Sequence, residues 1–222
     1  MNRSVAAWCL VFAAAGCAAP GGPAAAQAVQ RVPVAGGPCE GCEAVFDGIP
    51  QRIPSMARIA LRDEPGEPLR IDGVVRDATG RPVPGVIVYA YHTDAKGIYP
   101  RGPESWPPMA RRHGLLRGWA RTDSLGRYRF DTIRPASYPN TSIPQHVHMH
   151  VIEPGCCTYW IDDIHFEDDP LLTERARRSM SRGRGGAGVA TPKRVDGVWV
   201  VERDIVLGAD VPGYEAAARK DR

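Results

Sequence analysis

The sequence predicts an all-β chain: a β-sandwich preceded by an irregular N-terminal extension. Glycine and proline are abundant, 24 and 21 of 222 residues, and they cut the chain into short runs. Those runs are bounded by turn signals such as Asp77-Ala78-Thr79-Gly80-Arg81-Pro82 and Asp123-Ser124-Leu125-Gly126, where Asp and Gly favour tight reversals. No helical period is sustained over any length.

Residues 1–26 read as a targeting segment. Arg3 gives a positive start, and Val5 to Ala15 form an apolar stretch too short to span a bilayer. Two processing routes stay open. Ala24-Ala25-Ala26 is a small-residue cleavage site, and Ala14-Ala15-Gly16-Cys17 resembles a bacterial lipobox that would leave Cys17 lipidated and membrane-attached. Either route implies export: periplasmic, secreted or lipid-anchored at the bacterial envelope. Residues 27–66 read as a tether followed by a cysteine-containing extension with apolar positions at Val45, Phe46, Ile49, Ile53, Met56, Ile59 and Leu61. Residues 67–215 hold the sandwich domain. Its strands are Leu69–Val75, Val83–Tyr91, Gly118–Thr122, Tyr128–Ile133, a histidine-bearing strand, Tyr159–Phe166 and Gly197–Val206, with the Asp77 and Asp123 turns read as hairpins.

Outside the targeting segment stand Cys39, Cys42, Cys156 and Cys157. An even number in an exported chain argues for disulfides, most simply two bridges from the N-terminal segment to the loop after the histidine strand. The pairing stays open. Zinc is the weaker reading, since Cys39-x-x-Cys42 has no second CxxC and adjacent cysteines suit a tetrahedral ion poorly. The net charge of +3 gives no reason to expect a nucleic-acid partner. The five arginines of the 175–184 loop lack interleaved aromatics and read as a solvated surface, and Gly183-Arg184-Gly185-Gly186 lacks the GK[ST] of a phosphate loop.

The chemistry concentrates in Tyr138-Pro139 and the strand His146-Val147-His148-Met149-His150. Alternation puts His146, His148 and His150 on one face and Val147, Met149 and Val151 on the other. Imidazoles two residues apart on a strand reach a common metal. Tyr99 and Tyr138 both sit in proline-flanked loops, and a phenolate is a hard oxygen donor once a strong Lewis acid lowers its pKa.

Three blocks together carry a resemblance. They are His92-Thr93-Asp94-x-x-Gly97-x-Tyr99, then Thr122-Asp123-x-x-Gly126-x-Tyr128-x-Phe130-x-Thr132-Ile133-x-Pro135-x-x-Tyr138-Pro139, then Pro144-x-His146-Val147-His148. Over residues 67–170 the chain resembles the intradiol ring-cleavage dioxygenases of catechol, protocatechuate and hydroxyquinol. The resemblance implies their prealbumin-like sandwich and one non-haem Fe(III) held by Tyr99, Tyr138, His146 and His148. Tyr138 and His148 would be axial, with Tyr99, His146 and a hydroxide equatorial; His150 has no ligand counterpart. It implies a small aromatic diol and O2 as substrates and a muconate-type dicarboxylic acid as product. Tyr138 would be displaced by the diol and take up a substrate proton. A homo-oligomer is left open, and the N-terminal helical dimerisation region of catechol 1,2-dioxygenases is missing.

The chain departs from the family pattern at two positions. Ile143 stands where the family carries an arginine three residues before the first ligand histidine. Asp163, a candidate catalytic residue, stands where a glutamine is usual. Losing a cation and gaining an anion weakens binding of a dianionic catechol, unless Arg101, Arg111 or Arg112 supplies the charge. Two other readings follow. One is an iron-binding protein of the same fold with lost or altered activity, and the other is a prealbumin-like surface binding module.

Overall fold

The structure, a computed structural model, describes residues 29–38, 41–180 and 183–218; the targeting segment with Cys17, and Cys39, lie outside them. Two sheets stack face to face. The first is ordered β1 (Met56–Arg58), β5 (Arg127–Ile133), β2 (Pro68–Arg76), β10 (Val198–Glu202) and β9 (Lys193–Val195), with β11 (Ile205–Val206) also pairing to β2. The second is ordered β4 (Arg117–Arg121), β3 (Ile87–Tyr91), β6 (His146–Glu153), β7 (Cys157–Phe166) and β8 (Val189–Ala190).

Period-two patterning builds the space between them. Leu69, Ile71 and Val75 of β2 and Phe130 of β5 point inward from the first sheet, and Val88, Val147, Met149 and Val151 meet them from the second. On β7 the inward set is Tyr159 and Ile161, then Ile164 and Phe166. That change of parity is a β-bulge. Between the Val147–Ile164 and Met149–Ile161 pairs, β7 has one residue more than β6, so Asp162 and Asp163 together face His148.

The outer face of the second sheet is covered as well, which is why all five residues of β3 are buried. A 3-10 turn at Cys42–Phe46 lays Val45 and Phe46 on Ile87, Tyr89 and Trp119. Trp119 Nε1 donates to the Val45 carbonyl at 2.7 Å, and Arg117 Nη2 to that of Asp47 at 2.7 Å.

Several expectations change. The Asp77 and Asp123 turns form but do not make hairpins, because β2 and β5 lie in one sheet and β3 and β4 in the other. The Asp77 carboxylate accepts the Thr79 and Arg81 amides, and that of Asp123 the Leu125 and Arg127 amides. This fixes a chain reversal but not the sheet that receives the next strand. The single strand expected at 197–206 divides into β10 and β11. Short helices occur at α1 (Pro108–His113), α2 (Glu174–Met180) and α3 (Tyr214–Ala218). Helix α2 falls inside the expected arginine loop, and Arg184 is buried with its guanidinium 3.4 Å from the Trp160 ring centre. Cys42 is disulfide-bonded, but Cys156 and Cys157 are thiols, so the expected bridges to the loop after the histidine strand are not formed.

Buried histidines give the fold an acid limit. His92 donates from Nδ1 to the Thr93 carbonyl at 2.7 Å and accepts the Thr132 hydroxyl at Nε2, also at 2.7 Å. Burial holds it near pKa 4, and it holds His113 and His150 near 3. Unfolded histidines take up protons near pH 6.5, whereas these native ones do so only near 3 to 4. Their contribution to stability is therefore fully present above pH 6.5 and is lost progressively as pH falls toward 4. The expected slope is about 1.4 kcal/mol per pH unit per histidine, read from urea midpoints across that range. A flat profile from pH 7 to 4.5 would contradict it.

Candidate metal centre

Two loops bring the tyrosines together. Asp94 accepts the Lys96 and Ile98 amides at 2.8 and 2.9 Å, closing the turn that leads to Tyr99. Gly97 has φ +79°, and a Cβ there would run into the Ser137 carbonyl, so glycine permits the close approach of the two loops. Thr93 Oγ1 donates to the Ala136 carbonyl at 2.7 Å, and the Ala136 amide to that of Asp94 at 3.0 Å. The Tyr99 and Tyr138 loops are thus bonded to each other before either reaches the site.

The start of β6 is anchored separately. Arg134 pairs with Asp168 at 2.5 Å and donates to Gln145 Oε1 at 2.8 Å, while Asp169 accepts the Gln145 amide. His146 Nδ1 donates to the Pro144 carbonyl at 2.7 Å. A carbonyl can only accept, so the proton sits on Nδ1 and Nε2 carries a lone pair. The bulge does the same for His148, whose Nδ1 lies 3.2 and 3.1 Å from the two oxygens of Asp163.

All four expected ligands meet at one point. Tyr99 Oη and Tyr138 Oη are 2.6 Å apart, and His146 Nε2 and His148 Nε2 are 3.2 Å apart. Tyr138 Oη lies 3.1 and 3.4 Å from those nitrogens, and Tyr99 Oη 2.9 Å from that of His148. Two imidazole lone pairs aimed at each other repel unless a cation lies between them. Two phenol oxygens complete a donor set of two nitrogens and two hard oxygens, which fits ferric iron.

Electrostatics agree with a site completed by a cation. Burial raises the Tyr99 pKa, as does the hydrogen bond it makes to Tyr138; burial also raises that of Tyr138. Both phenols stay protonated at neutral pH unless positive charge is supplied. Burial lowers His146 to about 4, so its lone pair is available. Burial would raise Asp163, but the charge and hydrogen bond of His148 hold it below the usual carboxylate range.

The cluster opens on a cavity of about 590 Å³ lined by Tyr91, Tyr99, Arg112, Tyr138, His148, Trp160 and Asp163 among others. The family model Dioxygenase_C, described as Dioxygenase, matches residues 51–187, well over half of the chain. The chain belongs to the intradiol ring-cleavage dioxygenase family.

Among its relatives, the protocatechuate 3,4-dioxygenase beta chain of Burkholderia cepacia is 31% identical over 112 residues, 48% of each chain. Catechol 1,2-dioxygenase 1 of Acinetobacter lwoffii is 37% identical over 126 residues, 50% of this chain and 39% of the relative. The chain spans about half the length of the curated relatives it matches. The dioxygenase domain of a carbohydrate-binding fusion from Streptomyces sp. SirexAA-E superposes with a TM-score of 0.54 at 21% identity, covering 71% of this chain and 90% of that one. This last likeness is one of fold.

Against the intradiol dioxygenase pattern, the two departures take on distinct geometry. Ile143 is 38% exposed and does not line the cavity. Asp163 does line it, but its carboxylate is directed at His148. Of the three arginines weighed as replacements, Arg112 lines the cavity, Arg111 pairs with Glu104 at 2.8 Å, and Arg101 lies on a neighbouring depression. His150 is buried beside the site without joining the ligand cluster.

Sequence reasoning missed the aromatic wall. Tyr91 stacks on His113 at 3.8 Å and on His148 at 4.5 Å, and Tyr89 Oη bonds His113 Nδ1 at 2.8 Å. The outward parity of Tyr89 and Tyr91 on β3 was the available signal; nothing local pointed to His113 on α1.

If Asp163 fixes His148, Asp163→Asn keeps an acceptor for Nδ1–H but removes the charge behind it. Metal affinity should fall about 10- to 100-fold, read by chelator competition. Unchanged affinity would assign Asp163 to the cavity surface alone.

Proposed function

We propose that the chain holds one non-haem Fe(III) through Tyr99, Tyr138, His146 and His148 and cleaves a catechol-type ring between its two hydroxyls with O2. The convergence of two phenol oxygens and two imidazole lone pairs within 2.6–3.4 Å on a cavity wall carries this reading. Bound ferric iron would supply Lewis acidity that keeps phenolates ionised and draws both oxygens of a diol.

The protein's own residues supply the rest. The hydrogen bonds to Pro144 and Asp163 hold both imidazoles in the tautomer that points Nε2 at the site. Tyr138 is the less enclosed of the two phenols, and as phenolate its Oη is placed to accept a proton from an incoming diol. Tyr91 and Trp160 give the ring flat apolar walls. Arg112 places positive charge beside a catecholate, a task the family pattern gives to the position held here by Ile143.

Oxygen uptake tests the proposal. The iron-loaded protein should consume one O2 per catechol and release a muconate-type diacid; iron loading without O2 uptake on any catechol would favour the altered-activity reading. Arg112→Gln should raise KM for catechol about tenfold, a loss of about 1.4 kcal/mol, with kcat changed less. An unchanged KM would remove Arg112 from substrate binding.

A further inference from the structure

A second cluster of metal-binding groups lies at the far end of β6. Glu153 closes that strand and Cys157 opens β7, the two facing each other across the hairpin, with Cys156 in the turn between them. One ligand atom from each of Glu153, Cys156 and Cys157 lies within 4.8 Å of the others. Five residues separate Glu153 from His148, about 17 Å along an extended strand, so the iron ligands cannot share this cluster.

The surroundings hold a carboxylate in place and shield it from water. Tyr159 Oη donates to one oxygen of Glu153 at 2.5 Å, and Tyr214 Oη of α3 to the other at 3.1 Å. Tyr159 in turn accepts the Gly208 amide at 3.2 Å. Cys157 and Tyr159 are fully buried. Burial pushes the Glu153 carboxyl up, and the two phenol bonds pull the other way. Three groups that are anions when deprotonated are thus packed together where an uncompensated charge is costly.

We propose that Glu153, Cys156 and Cys157 form a second cation site, selective for a borderline or soft divalent ion such as zinc. Two thiolates exclude magnesium and calcium, which take oxygen ligands. Adjacent cysteines alone suit a tetrahedral ion poorly, but Glu153, which pairs with Cys157 across the hairpin, adds a third ligand from the neighbouring strand. Binding releases the thiol protons to solvent, so uptake strengthens as pH rises. The ion would tie the β6–β7 turn, through Glu153 and Tyr214, to α3. This site does not depend on the iron reading.

The probe is Cd2+, added to the iron-loaded protein without reductant so that the disulfide at Cys42 stays closed. One equivalent should bind with a thiolate-to-metal absorption band in the ultraviolet, while the iron chromophore stays unchanged. Zn2+ should compete for the same equivalent. Cys156→Ser should weaken binding about 100-fold or more, beyond the effect of losing a supporting hydrogen bond, and Glu153→Gln should weaken it while keeping the band. Because Cys156 is only partly buried, its serine variant should fold, and an unchanged circular dichroism spectrum would show that it does. Absence of a thiolate band, an affinity that Cys156→Ser leaves unchanged, or isolation of the protein with Cys156 and Cys157 joined to each other would overturn the proposal.

Discussion

Tyr138→Phe is expected to lower ring cleavage by roughly 10²- to 10⁴-fold, the range for removing a positioned proton acceptor. Tyr138 Oη lies 2.6 Å from Tyr99 Oη and 3.1 Å from His146 Nε2, so under the proposed function the variant would lose a ligand and a base together while the ring keeps its packing. Tyr99, His146 and His148 remain, so iron should still bind, more weakly, with an altered but surviving charge-transfer band. The split between metal content and turnover is the informative readout. A variant that keeps full iron and full activity would show that Tyr138 is neither ligand nor base. Under the surface-module reading, neither quantity would exist to be lost.

Arg203→Met is expected to destabilise the fold by about 4 kcal/mol from a position outside the ligand cluster. Arg203 is 1% exposed. It donates through Nη1 to the Gly185 and Asp204 carbonyls at 3.0 and 2.6 Å, and through Nη2 to those of Asp162 and Arg184 at 3.1 and 3.4 Å. Methionine would fill much of the volume, and the Arg184 and Gly185 carbonyls keep the Asp162 and Val206 amides. The Asp162 and Asp204 carbonyls would be left short of a donor, at about 1–3 kcal/mol for each left unsatisfied. In a chain of this size that is a fall in Tm of roughly 10 °C. The Asp162 carbonyl lies in the bulge that presents Asp163 to His148, so metal affinity should fall too. A loss below about 1 kcal/mol would mean that water replaces the guanidinium.

How much of this was legible in the sequence depends on the range of the interaction. The alternation of His146, Val147, His148 and Met149 revealed a strand with imidazoles on one face because side-chain direction is a property of neighbours. The Asp77 and Asp123 turns were legible for the same reason; the similar turn at Asp94 that leads to Tyr99 is a finding of the structure. The sheet that each next strand joins was not legible, since Asp77 and Asp123 bond only their own turns. The bulge was also hidden: Asp162-Asp163 reads as two polar residues in a strand, and only the pairing with β6 reveals the extra residue. His113 reaches Tyr91 from a separate helix, a contact no periodicity announces. The expected bridges failed because a cysteine count carries no geometry, whereas the structure gathers Cys156 and Cys157 around Glu153.

The visible absorption spectrum of the iron-loaded protein, before and after catechol is added under nitrogen, tests the central claim most directly. Two phenolates on ferric iron would give a red-brown charge-transfer band, and a diol bound at the proposed site would shift that band. A colourless protein at full iron loading would contradict the site formed by Tyr99, Tyr138, His146 and His148.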